Sequence, residues 1–283
     1  MRYGTLVRLE EGCELSTACR EKFEGLRSMG MDSCQLIYKP AVYELSHADV
    51  IRDAAEAAGI ELSAMFCGYY DRNNLWDNQF DLILAGINSP IFGADRIKYL
   101  LSAIPFLQRL GVTDMVIHAG FLPNHTHDSG YSLMRAAVAL LGTRLKEAGC
   151  NLLFETGMES PIALLNLISD CGLDNLYVNL DTANFIIYGY GNPVDAMYTI
   201  GSYVRNVHAK DAMPPTMPHS RGKEVPVGTG LVDFERIFDL LYRQGYDRFI
   251  TIEREIRDAK QEEGIAEALH YLKKIEEKVK VGQ

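Results

Sequence analysis

The chain has 283 residues, 47% of them hydrophobic and 23% charged, an ordinary globular balance that excludes disorder as a description of the whole. A formal charge of −10 and a pI near 5.2 have the wrong sign for a protein that holds phosphate backbones, so no nucleic acid partner is expected. No stretch approaches the roughly 18 consecutive apolar residues of a membrane span, residues 1–8 contain no apolar signal core, and six scattered cysteines without a C-x-x-C pair read as reduced thiols; a cytoplasmic protein with no membrane partner is expected.

Short apolar runs alternate with longer amphipathic ones along the whole chain. In order, the pairs are residues 3–9 with 17–29, 33–38 with 46–58, 61–67 with 94–110, and 114–119 with 131–148. Then come 151–155 with 161–171, 176–181 with 193–202, 204–210 with 233–244, and 248–253 with 258–279. The short runs are rich in Val, Ile, Leu, Phe and Tyr with little alternation, which fits strands of a parallel sheet buried on both faces. Ser160-Pro161 and Asn192-Pro193 each place a capping side chain before a proline at the first helical position. Glycines 30, 59, 111, 149, 172 and 245 each follow a helical pattern, where a left-handed residue ends a helix. Eight strand–helix units in a chain of this length predict an α/β fold of the (β/α)8 TIM-barrel type, ~250 residues being typical. No composition shift marks a boundary, so residues 1–283 read as one barrel domain. No G-x-G-x-x-G follows the first strand, which argues against a dinucleotide-binding sheet.

Barrel enzymes take their catalytic groups from the C-terminal ends of strands. The fifth to eighth runs end in Phe154-Glu155-Thr156, Leu180-Asp181-Thr182, Val207-His208-Ala209 and Ile252-Glu253-Arg254. Any one of these polar residues is commonly a rim or core residue with a local partner. Four on consecutive strands bring three anions to one mouth, where they repel unless a cation neutralises them. Three carboxylates and one imidazole suit Mn²⁺ or Mg²⁺, with Co²⁺ admissible, better than tetrahedral Zn²⁺. One divalent cation, manganese first, is therefore expected on Glu155, Asp181, His208 and Glu253.

These motifs, with Asn179-Leu180-Asp181-Thr182-Ala183-Asn184, His208-Ala209-Lys210-Asp211 and Val225-Pro226-Val227-Gly228-Thr229-Gly230, resemble the xylose isomerase-like TIM-barrel superfamily. Within it the chain is similar to the sugar phosphate isomerase/epimerase group that includes D-tagatose 3-epimerase and inosose dehydratase. The resemblance implies the same four metal ligands. It also implies a sugar, polyol or sugar phosphate substrate and an enediolate formed by proton removal next to a carbonyl. It gives proton transfer to Glu155 and Glu253, one on each face of the substrate. Reprotonation from the opposite face is epimerisation, and return to the neighbouring carbon is aldose–ketose isomerisation. Loss of a β-hydroxyl instead makes a lyase of the inosose dehydratase kind.

Around this centre, His118 can meet a substrate hydroxyl or a ligand carboxylate, and Arg221 can grip a substrate oxygen. Lys210 is a further candidate contact. Asn184 stands where tagatose-type epimerases carry a His, and its amide donates to a hydroxyl without shuttling a proton. Gly228-Thr229-Gly230 reads first as turn geometry, with phosphate binding as the weaker alternative. Tyr69, Tyr70 and Trp76 can stack on a sugar, pack the loop or close a contact in a homo-oligomer. Two other readings are weaker. An endonuclease IV-like repair enzyme would need three metals and histidines that are not here, and a sugar-binding barrel without catalysis would not need both glutamates.

Overall fold

The computed structural model describes residues 1–9, 14–70 and 85–282. In chain order the elements are β1 (Arg2–Val7), α1 (Leu15–Ser28), β2 (Ser33–Tyr38), α2 (His47–Ala57), β3 (Glu61–Cys67), α3 (Gly93–Leu110) and β4 (Asp114–Ile117). There follow α4 (Ser129–Glu147), β5 (Asn151–Glu155), α5 (Pro161–Cys171), β6 (Leu176–Asp181), α6 (Asn184–Tyr188), α7 (Pro193–Ile200) and β7 (Val204–Ala209). The chain ends with β8 (Asp211–Met213), β9 (Lys223–Val225), α8 (Phe234–Arg243), β10 (Phe249–Ile252) and α9 (Gln261–Val281). Eight strands close into a parallel barrel in the order β1-β10-β7-β6-β5-β4-β3-β2, so the (β/α)8 fold is present. The remaining pair, β8 and β9, is a small antiparallel hairpin outside the barrel.

Period-two alternation sorts the strand residues between two cores. Leu152, Phe154, Val178, Leu180 and Val207 join the large cluster that includes helical residues such as Leu164, Leu167 and Phe238. Ala64, Val116 and Leu153, flanked by Phe66 and Tyr177, form a second, small apolar plug. The residues that share faces with this plug, Gln35, Asn179, Asn206 and Thr251, are fully buried and polar, so the barrel interior changes from apolar to amide-lined.

The helix punctuation works as the sequence implies. Ser160 Oγ accepts from the Ala163 amide and Asn192 Oδ1 from the Val194 amide. Gly111 and Gly172 end α3 and α5 in left-handed conformations, φ 79° and 62°. Two elements differ from the sequence reading: residues 211–231 contain the β8–β9 hairpin, and the five-residue α6 follows directly on β6. The last helix starts at Gln261 rather than 258. Among the described residues, no helix is long and apolar enough to cross a membrane, and Cys19, Cys34, Cys67, Cys150 and Cys171 are not joined in disulfides.

Candidate metal centre

The register of the barrel explains why four separated residues meet. Asp181 pairs with His208 across β6 and β7, Glu155 with Asn179 across β5 and β6, and the Glu253 amide donates to Ala209 O beside β7. Glu155, Asp181, His208 and Glu253 are all buried, and each offers a ligand atom within 4.8 Å of the others. Among the described residues this is the one cluster of groups able to hold a metal ion.

Each side chain is held by its strand end. His208 Nδ1 lies 2.8 Å from Glu155 Oε1 and 3.2 Å from Glu253 Oε2. Asp181 Oδ1 accepts from the Ala183 and Asn184 amides at 2.8 and 2.7 Å, which caps the turn into α6. Asp181 Oδ2 is buried and has no hydrogen-bond partner, with the Lys210 ammonium 3.6 Å away. An unsatisfied buried carboxylate oxygen beside two other carboxylates and an imidazole is a donor set for a divalent cation. Three carboxylates, one ammonium and one dication also make an electroneutral centre.

The charges show the crowding. Burial opposes ionisation of Glu155, yet His118 and His208 hold it at about 2. Burial also raises Glu253, but Lys210 and His208 pull it well below the usual carboxylate range. Asp181 goes the other way: burial, with Glu253 and Glu155 as neighbours, lifts it well above its ordinary value despite Lys210. Burial lowers His208, but Glu155 and Glu253 overcome this and push it up to about 10.

The supporting residues fall into place unequally. His118 Nε2 is 2.8 Å from Glu155 Oε2, so it contacts a ligand carboxylate, and its ring meets Phe66 edge-on. Lys210 Nζ reaches Glu253 Oε2 at 3.4 Å, Asn184 Oδ1 at 3.5 Å and the exposed rim residue Glu255 at 2.6 Å. Asn184 is buried and donates from Nδ2 to Thr156 O at 3.0 Å. Arg221 is exposed between the hairpin strands and bears on the site through the charge it presents to Tyr188. Tyr69 and Tyr70 donate their hydroxyls to His118 O and Tyr38 O, which packs the start of the loop onto the barrel; Trp76 lies outside the described residues.

Of the two readings of Gly228-Thr229-Gly230, the structure supports turn geometry. The Gly228 and Gly230 amides donate to Asp211 Oδ2 at 2.9 and 2.8 Å, and the Thr229 amide to Pro226 O. A carboxylate of the chain itself fills the anion-binding turn. Two buried polar residues beside the cluster escaped the sequence reading. Glu159, only 4% exposed, lines a cleft with His118, Glu155, Gly157 and Tyr188. Burial raises Glu159 to about 7. It sits just before the Ser160-Pro161 cap, where it reads as part of a helix start. The other is Gln35, a polar residue inside the apolar run of β2.

A family model described as xylose isomerase-like TIM barrel matches residues 23–275. A crystal structure of a xylose isomerase domain protein from Planctomyces limnophilus superposes with a TM-score of 0.86 and 30% identity, covering 98% of this chain and 97% of that one. The 3-keto-D-glucoside 4-epimerase of E. coli shares the fold at a TM-score of 0.70 and 16% identity, covering 97% and 99%. An inosose dehydratase of Clostridium botulinum (strain Alaska E43 / Type E3) is 23% identical over 163 residues. That match takes in 52% of this chain and 53% of that relative, so this chain spans about half the relative's length.

Proposed function

This chain belongs to the xylose isomerase-like TIM-barrel family, and on that premise we propose that it is a divalent-metal-dependent isomerase or epimerase of a keto sugar or related polyol. The observation that carries the reading is the buried meeting of Glu155, Asp181, His208 and Glu253 at four neighbouring strand ends. These four residues hold the cation, with Mn²⁺ preferred. A dication there polarises a carbonyl and favours negative charge on its oxygen. Glu155 and Glu253 lie 2.8 and 3.2 Å from His208 Nδ1 and are the acid–base pair for the carbon next to that carbonyl. His118 orients Glu155, Lys210 orients Glu253, and Asn184 and Arg221 contact substrate oxygens. The acidic surface and the internally filled 228–230 turn favour an uncharged small sugar over a nucleic acid or a sugar phosphate.

The half-length likeness to inosose dehydratases favours a second outcome, loss of a β-hydroxyl after the same proton removal. One experiment separates them. Ketoses, inososes and sugar phosphates are incubated with the Mn²⁺-loaded protein in D₂O, and the products are identified by NMR. Epimer interconversion with deuterium beside the carbonyl is the expected result; an unsaturated product assigns the lyase. Glu155→Gln and Glu253→Gln should each lower turnover by about 10²–10⁴-fold. Turnover with neither solvent deuterium nor an isotope effect from substrate deuterated at that carbon would sink proton transfer as the chemistry.

A further inference from the structure

Gln35 sits on β2, across the barrel from His208 on β7, 173 positions away in the chain. It is fully buried, and its Oε1 lies 2.9 Å from His208 Nε2, the ring nitrogen that faces away from the carboxylates. The amide nitrogen of Gln35 faces Asn179 Oδ1 at 3.5 Å, and the same oxygen accepts from Asn206 Nδ2 at 2.5 Å. Asn206 Oδ1 in turn accepts from the Thr251 hydroxyl at 3.3 Å. A line of uncharged hydrogen bonds thus crosses the barrel interior from β10 through β7 and β6 to β2, directly beneath the metal cluster.

A neutral imidazole carries one N–H, and the bond at one nitrogen decides which nitrogen keeps a lone pair. Carboxylates only accept. Left to Glu155 and Glu253 alone, the proton of a neutral His208 would stay on Nδ1, and the lone pair would point away from the cluster. A carbonyl at Nε2 reverses that choice. We propose that Gln35 is a positioning residue that fixes His208 with its proton on Nε2, so that the Nδ1 lone pair faces Glu155 and Glu253 as a metal ligand. An amide does this without adding a fourth negative charge to a centre that a dication and Lys210 already balance, which a glutamate at this position would do. The inference rests on the metal reading of the cluster.

The tautomer of the wild-type protein is read directly. With ¹⁵N-histidine labelling and Mg²⁺ bound, long-range ¹H–¹⁵N spectra should show His208 protonated on Nε2 and not on Nδ1; the reverse pattern overturns the proposal, and no variant need fold. Mn²⁺ titration of EDTA-stripped protein, followed by the electron paramagnetic signal of free Mn²⁺, gives the second readout. Gln35→Met removes the acceptor and should weaken Mn²⁺ binding by about 10–100-fold, whereas Gln35→Glu keeps an acceptor and should recover most of that loss. Equal affinity of wild type and Gln35→Met, with both folded by circular dichroism, overturns the role of Gln35 and leaves the metal site standing. A wild type that takes up no Mn²⁺ removes the metal reading itself, a separate result.

Discussion

Glu159 is an acid placed where its charge is poorly tolerated. It is buried, with the Gly157 amide 3.1 Å from its Oε1, and burial lifts it from 4.5 to about 7. An acid raised on folding keeps its proton in the native chain after the unfolded chain has lost it. Stability therefore falls as pH rises through the window from about 4.5 to about 7, by up to about 3 kcal/mol for a shift of this size. Glu159→Gln keeps an oxygen for the Gly157 amide and removes the charge. In EDTA-treated protein it should match wild type near pH 4 and melt several degrees higher at pH 8. Melting curves recorded across that range test this, and a constant offset between the two proteins would show that Glu159 does not titrate in the window. Glu159 shares its cleft with His118 and Tyr188.

At the scale of elements, the β8–β9 hairpin and the turn after it are organised by a single carboxylate. Asp211 accepts from the amides of Ala212 and Val232 through Oδ1 and of Gly228 and Gly230 through Oδ2. Gly228 has φ +89°, and a Cβ on Gly230 would stand 2.2 Å from Asp211 Oδ1, so both glycines are required by this closure. Asp211→Ala should cost about 2–3 kcal/mol in urea unfolding, because it strips the acceptor from four amides at once. Amide exchange at residues 228, 230 and 232 should quicken; unchanged exchange there would show that the turn holds without Asp211. The sequence conveyed these elements unevenly. β2, β3, β5 and β6 were legible to their ends, because mostly apolar runs bounded by polar turns leave one reading. The hairpin was not, since three residues per strand are too few to show an alternation. Nor was α6, a five-residue helix nucleated by the Asp181 carboxylate, or the role of Gln35, whose partner is distant along the chain. The four ligands were legible because each ends a buried strand, while the Gly-Thr-Gly stretch was legible as a turn but not the Asp211 carboxylate that it closes on.

Across the whole molecule, the two ends of the barrel hold charge in opposite ways. At the N-terminal end, Asp114 of β4 is 1% exposed and fully partnered. Arg205 Nε of β7 reaches both of its oxygens at 2.9 and 2.8 Å, Arg248 Nη2 lies at 3.2 Å, and Asn151 Nδ2 of β5 at 2.7 Å. This network ties strands from different parts of the barrel with every oxygen satisfied. At the C-terminal end, Asp181 is equally buried, crowded by Glu155 and Glu253, and left with an oxygen that no hydrogen bond satisfies. The first arrangement stabilises; the second stores repulsion that a cation relieves. Asp114→Ala should therefore cost about 3–5 kcal/mol, since it leaves two arginines without their buried partner, and Mn²⁺ affinity of the folded protein should not change. Asp181→Asn should do the reverse. It keeps Oδ1 for the Ala183 and Asn184 amides and removes one of the crowded charges. In EDTA it should be at least as stable as wild type, and in Mn²⁺ it should lose both uptake and the stabilisation that bound metal confers. Thermal melts of the three proteins with EDTA and with Mn²⁺ decide the matter. An Asp181→Asn variant that is much weaker than wild type without metal would mean that this carboxylate holds the barrel together as Asp114 does, and that the repulsion inferred at the mouth is not there.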